Sequence, residues 1–175
     1  MKKIILILIC ISVFLTGCIS IENNIQPDLS GLTPEEQVEV IHKTNLQYIL
    51  NEDAKAIAAA YSDNYRDLGG GPNGDGTTTI NTVNYWSDVF SSNEFDKISD
   101  KSLDELVDLS QTEIYTYSDF GQYNSFFCEK TNIDFNCADG DILIIFQPTD
   151  NSPLFDGWIG VYREISNEWK IVAGD

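Results

Sequence analysis

The sequence has a single histidine, His42. A Ser-His-Asp arrangement would have to be built on that one residue. A cysteine-based metal site needs three or four soft ligands, and the chain is short of them. Familiar catalytic signatures are missing too: there is no Gly-x-Ser-x-Gly and no His-Glu-x-x-His. The glycine-rich stretch "DLGGGPNGDGTTT" lacks the following Lys-Ser/Thr and the preceding parallel strand of a phosphate cradle. Basic residues are scarce, 10 against 28 acidic ones, for a formal charge of −18. Such a surface repels phosphate backbones and anionic headgroups, which argues against nucleic acid as a partner and against membrane attachment through a basic patch. The acidity is spread along the chain and aromatics reach 11%, so this is not an acidic disordered tail. No apolar run spans a bilayer: Ile4 to Leu15, broken only by Ser12, falls short of the roughly 20 residues needed. The chain shows no internal repeat and no low-complexity tract.

That short run follows Lys2 and Lys3 and stops at "LTGC", Leu15-Thr16-Gly17-Cys18. A basic flank, a short apolar core and small residues at its end read as a secretory signal. The ending resembles the lipobox of prokaryotic lipoproteins. The resemblance implies cleavage before Cys18 and lipidation of its thiol, with residues 1–17 as the leader. One acyl chain holds a protein only marginally, so two or more make the anchor. The expected location is the extracytoplasmic side of the cell membrane, with the lipid bilayer as a partner through Cys18. Without Lys2 and Lys3 the charge becomes −20, and 158 residues remain, enough for one domain with a real core. Residues 18–32, with Pro27, Gly31 and several Asn, read as a tether spanning roughly 20 Å; residues 33–175 are the expected domain.

Cys10 leaves with the leader and Cys18 carries lipid, which leaves Cys128 and Cys137. Outside the cytosol the two are expected to pair, closing "CEKTNIDFNC" with roughly 2–3 kcal/mol of chain-entropy stabilisation.

"TPEEQVEVIHKTNLQYIL" opens a helix with Thr33 as N-cap, Pro34 at the first helical position and Glu36 completing a capping box. Val38, Ile41, Tyr48 and Ile49 fall on one stripe. "EDAKAIAAAYSDNY" predicts a second, Ala-rich helix, and "TINTVNYWSDVFSS" a third. "SLDEL" starts with a capping box and suits one helical turn. "VDLSQTEIYTYSDF", "GDILIIFQP", "GWIGVYREI" and "WKIVAGD" predict strands, the second buried on both faces, with Ser166-Asn167-Glu168 turning the chain between the last two. "YNSFFC" suits a short strand or a loop. In the third of these strands Trp158, Gly160 and Tyr162 share one face, and Ile159, Val161 and Arg163 the other.

Helices followed by antiparallel strands predict an α+β class. The order of a helix, an Ala-rich helix ending in "AAYSDNYRDLGG", a "YW…F" helix and the closing "DGWIGVYREISNEWKIVAGD" resembles the nuclear-transport-factor-2-like superfamily in its SnoaL-like branch, over residues 33–175. The resemblance implies an NTF2-like cone, with N-terminal helices packed in a curved antiparallel sheet and a pocket at the open end. Members include isomerases, cyclases, dehydratases and non-enzymatic modules, so the fold alone leaves function open. Some members pair through the sheet face, which makes a homodimer an assembly the resemblance allows.

In enzymatic members a carboxylate follows the second helix, where Asp67 stands here, and a phenol can sit on the first helix, where Tyr48 stands. Asp67 would need burial to act as a base. His42, four residues after Val38, is expected to be a half-buried helix histidine, with general base as the functional alternative. Tyr48, Trp86, Tyr115 and Trp158 are the expected pocket aromatics, with core packing as the plainer role. "DFNCADGD" misses an EF-hand register by one, because Asp134 and Asn136 fit but Ala138 and Asp139 do not. "GPNGDGTTT" offers Asn73, Asp75 and Gly76 without the first acidic position or closing Glu, so both read as turns and no metal ligand set or cofactor is assigned. The expected function is a binding module for a small apolar ligand or a partner protein. The alternative is a lyase or isomerase of the ketosteroid-isomerase or polyketide-cyclase kind, and a third reading is a calcium-dependent domain. The location has a direct test: intact mass and fractionation should find a membrane-bound chain starting at acylated Cys18. A cytosolic chain with its starting Met and an unmodified sulfur at position 18 would remove the anchor and the disulfide expectation together.

Overall fold

A computed structural model describes residues 27–67, 80–122, 137–154 and 157–174. The leader, Cys18, most of the glycine-rich stretch, "YNSFFC" and Cys128 lie outside the described residues. Among the described residues four α-helices and five strands follow one another: α1 (Pro34–Leu50), α2 (Ala54–Ala60), β1 (Tyr61–Asp67), α3 (Val83–Phe90), α4 (Leu103–Leu106), β2 (Val107–Thr116), β3 (Ile142–Pro148), β4 (Trp158–Ile165) and β5 (Glu168–Gly174). The chain is therefore α+β. No helix of the described residues is long and apolar enough to cross a membrane.

Helix α1 starts as its sequence dictates. Thr33 accepts a hydrogen bond from the Glu36 amide, and the Glu36 carboxylate accepts one from the Thr33 amide. These two bonds satisfy donors that a helix start leaves bare. A second capping box, Ser102 with Glu105, starts α4. The predicted second helix is half right. The chain leaves helix at Ala60 and runs as β1, which pairs with β5; Tyr61, Ser62 and Tyr65 are buried there while Asp63 and Asn64 face solvent. The third helix begins later than the pattern suggests, with Thr82 as its N-cap. Strand β2 stops at Thr116, and Tyr117–Gln122 forms a 3₁₀ helix where continued strand was expected. Asp119 stops it: its carboxylate accepts from the Thr116 amide and hydroxyl.

The strand order is β1-β5-β4-β3-β2. The sheet is mixed, not antiparallel throughout. Strand β1 pairs parallel with β5, since it enters through α2 instead of a hairpin. Three of the four pairings carry a register break. Between Val161↔Ala173 and Tyr162↔Ile171, Val172 is the extra residue on β5. Such bulges bend a strand and increase its twist. Ser166 and Asn167, both at positive φ, close the β4–β5 hairpin where the turn was expected.

The sheet buries both faces. Helices cover the first, where Phe146, Ile144 and Tyr162 meet Val38, Leu46 and Ile57. Leu143, Ile145, Val161, Val172 and Ala173 form a second cluster, with Cys137 partly buried against it. On this side Asp141 is fully buried and takes a two-pronged bond from Arg163, Nε to Oδ1 and Nη2 to Oδ2, each 2.7 Å. It also accepts from the Ala138 amide at 2.8 Å, fixing the turn into β3.

The two halves of that pair are unequal, because one third of the Arg163 side chain reaches solvent and none of Asp141 does. Arg163→Ala, which strands a buried carboxylate, should cost about 3–5 kcal/mol. Asp141→Ala, which leaves a cation that water can reach, should cost roughly 1–3 kcal/mol. Urea midpoints of the two variants check the order.

Candidate functional site

The buried face of α1 carries Val38, Leu46 and Ile49, and between them two polar residues, His42 and Asn45. Both are buried, His42 completely, where the sequence suggested a half-buried ring. They survive burial because β4 supplies partners. His42 Nε2 lies 3.1 Å from the Trp158 carbonyl oxygen, and Nδ1 lies 3.0 Å from the Tyr162 hydroxyl. Asn45 Nδ2 donates to the same hydroxyl at 3.0 Å.

The carbonyl fixes every proton in this chain. It can only accept, so Nε2 carries the hydrogen and Nδ1 is bare. Nδ1 then accepts from the Tyr162 O–H, and Tyr162 in turn accepts from Asn45. The ring also makes an edge contact with Phe146, centroids 4.5 Å apart. Gly160 leaves the space it needs, since a Cβ there would stand 2.9 Å from the Tyr162 ring and 3.2 Å from His42 Cε1.

Burial pushes the His42 imidazole down to about 3, with the bond to the Trp158 carbonyl pulling weakly the other way. Burial pushes the Tyr162 phenol well above its usual range, partly opposed by the Asn45 bond. Both are neutral at physiological pH, and the only basic nitrogen of His42 is already engaged.

Two cavities flank this relay. The aromatic cavity, about 220 Å³, lies between α1, β1, α3 and β4 and is walled by Tyr61, Tyr65, Trp86 and Trp158, with His42 and Gly160 at its floor. Tyr61 meets Tyr65 edge-on at 4.8 Å and Trp86 at 5.8 Å. The polar ends of two walls are tied to backbone: Trp86 Nε1 donates to the Ile80 carbonyl at 2.7 Å, and the Tyr65 hydroxyl to the Gly174 carbonyl at 3.0 Å. What these two walls offer the cavity is ring surface. No carboxylate is among its described lining residues.

The polar cavity, about 250 Å³, lies on the other side of α1, bounded by α2, the β4–β5 hairpin and the chain at Pro27 and Leu29. Tyr48 and Trp169 stand in it, and Asn45 reaches it from the core. Burial, with the Asp53 carboxylate adding to it, pushes the Tyr48 phenol up, so it remains protonated.

The expected pocket aromatics therefore do not converge. Trp86 and Trp158 share the aromatic cavity, Tyr48 lines the polar one, and Tyr115 lines neither. Tyr115 sits on the second sheet face, its hydroxyl bonded to Glu113. Asp67 pairs with Gly174 through β1 and β5, and its side chain lies outside the described residues. Among the described residues no three His, Cys, Asp or Glu side chains come together; Ala138 and Asp139 are described, while Asp134, Asn136, Asn73, Asp75 and Gly76 are not. Asn45, Tyr61, Tyr65 and Tyr162 were not singled out by the sequence. The face that Tyr162 shares with Trp158 and Gly160 in the predicted strand was the available signal for one of them.

Comparisons with protein-family models, with curated proteins and with solved structures found nothing that matches this chain.

The buried imidazole makes stability depend on pH in a defined direction. Its folded value, about 3, lies below the ordinary 6.5. The unfolded chain therefore binds the extra proton, and stability present above pH 6.5 is lost as pH falls toward 3. Between pH 6.5 and 5 the native chain should lose about 2 kcal/mol that His42→Phe, whatever its own stability, does not lose. Urea titrations of both proteins across that window check it.

Proposed function

We propose that the protein is a lipid-anchored extracytoplasmic binding module: an NTF2-like cone, moored through Cys18 and stapled by Cys128 and Cys137, whose aromatic cavity holds a small apolar ligand. The observation that carries this reading is the chemistry of that cavity. Ring faces wall it, two of its polar tips are spent on backbone, and its one imidazole is held neutral with both nitrogens occupied. A site of this kind favours burying apolar surface over moving protons. The helix-helix-strand-helix order and the register breaks of the sheet support the cone.

The lyase or isomerase reading draws less support. A general base must reach its substrate with a lone pair. His42 has none to offer while Tyr162 holds Nδ1, and Tyr48 faces the other cavity. Asp67 is then the residue on which that reading rests. No observation favours calcium dependence.

Native mass spectrometry of the chain from its own host, followed by rebinding of p-cresol as a probe, tests the proposal. Ile80→Trp, which narrows the cavity, should weaken p-cresol binding by about tenfold. Undiminished binding in that variant would contradict it. So would isomerisation of a ketosteroid by the native chain that Asp67→Asn abolishes.

A further inference from the structure

The relay has a second end. Asn45 spends one Nδ2 hydrogen on Tyr162, and its Oδ1 accepts no hydrogen bond from the described residues. Asn45 is only 2% exposed, and the surface it retains belongs to the polar cavity. That oxygen is not sealed off, since among the described residues only Ser62 Oγ is both buried and without a partner; it opens onto the cavity and can take a donor there. The direction of the relay thus presents an acceptor oxygen to this cavity.

The surroundings narrow the class. Tyr48 and Trp169 supply aromatic surface, and the Trp169 indole is fixed by donating to Gln37 Oε1 at 2.9 Å. Glu164 and Glu168 stand at the rim. Lys170 is there as well, but its ammonium lies 2.8 Å from Glu168 and donates to the Ala59 carbonyl at 2.8 Å, so its charge is matched. The remaining balance is one negative charge, in a chain whose formal charge is −18. Aromatic faces, an unmet acceptor and net negative charge together suit a cation bearing N–H groups.

We propose that the cavity between α1, α2 and the β4–β5 hairpin is a binding site for a small organic amine, whose ammonium donates to Asn45 Oδ1 and lies between Tyr48 and Trp169. This site is separate from the aromatic cavity, and neither proposal depends on the other.

Tyramine and tyrosol, which differ only in ammonium against hydroxyl, are suitable probes, with glucose as a neutral polyol. Each would be titrated into the full chain in neutral detergent while the Trp169 indole N–H resonance is followed by NMR. Tyramine should shift it and bind about tenfold tighter than tyrosol. Glu164→Gln should weaken tyramine by about threefold. Thr44→Phe, which fills the cavity from α1, should abolish the shift; Ala59→Tyr, at an exposed position of α2, does the same should the first variant fail to fold. Tyrosol or glucose binding as tightly as tyramine would overturn the proposal, as would a tyramine shift that survives the filled cavity, or none at about 10 mM, where even a millimolar ligand nears saturation.

Discussion

The carbonyl oxygen of Trp158 can accept a hydrogen bond and cannot give one, and from that single asymmetry the polar interior of the molecule takes its direction. It sets the tautomer of His42, and the tautomer sets which way the Tyr162 hydroxyl points. That in turn decides which end of the Asn45 amide is consumed. Three buried side chains on two elements more than a hundred residues apart in sequence are oriented by one backbone atom. The relay also ties α1 to β4, so the first helix is seated on the sheet by direction-specific bonds as well as by the apolar contacts of Val38, Leu46 and Phe146. A buried polar network of this kind is stabilising only when its members are satisfied. Asn45 Oδ1, which accepts no hydrogen bond from the described residues, opens onto a cavity.

The relay separates two environments on either side of α1. Toward α3 and β1 the chain presents rings; toward α2 and the β4–β5 hairpin it presents amides, carboxylates and a matched lysine. Of the two cavities, the second is the one with carboxylates, Glu164 and Glu168, among its described lining residues. Attachment to a membrane is a separate matter, carried in the proposed reading by the acylated Cys18 and not by the charge of the folded part.

Much of the architecture was legible in the sequence. Capping boxes at Thr33 and Ser102 announced two helix starts because they are local: every partner lies within three residues. The strands from Ile142 onward were legible because β-branched runs and alternation are local as well. From Tyr61 to Tyr65 the Ala-rich stretch before it sets a helical expectation, while the pairing partner of β1, β5, lies more than a hundred residues away. For the same reason the parallel pairing could not be read from one strand. His42 looked like a residue at the edge of a stripe, since nothing in its neighbourhood in sequence reveals Tyr162 across the core. Tyr48, Trp86, Tyr115 and Trp158 share a residue type, and type does not say which side of α1 or of the sheet a ring takes.

Because His42 is the only histidine in the chain, its imidazole signals need no assignment strategy. Nitrogen-15 NMR of the full chain, labelled at histidine, reads tautomer and charge together. The relay predicts one neutral ring, protonated at Nε2 and bare at Nδ1, with signals that stay fixed from pH 8 to 5 because its value lies at about 3. A ring that titrates near the ordinary histidine value, or that carries its hydrogen on Nδ1, would contradict the orientation of Tyr162 and Asn45 and the account built on it.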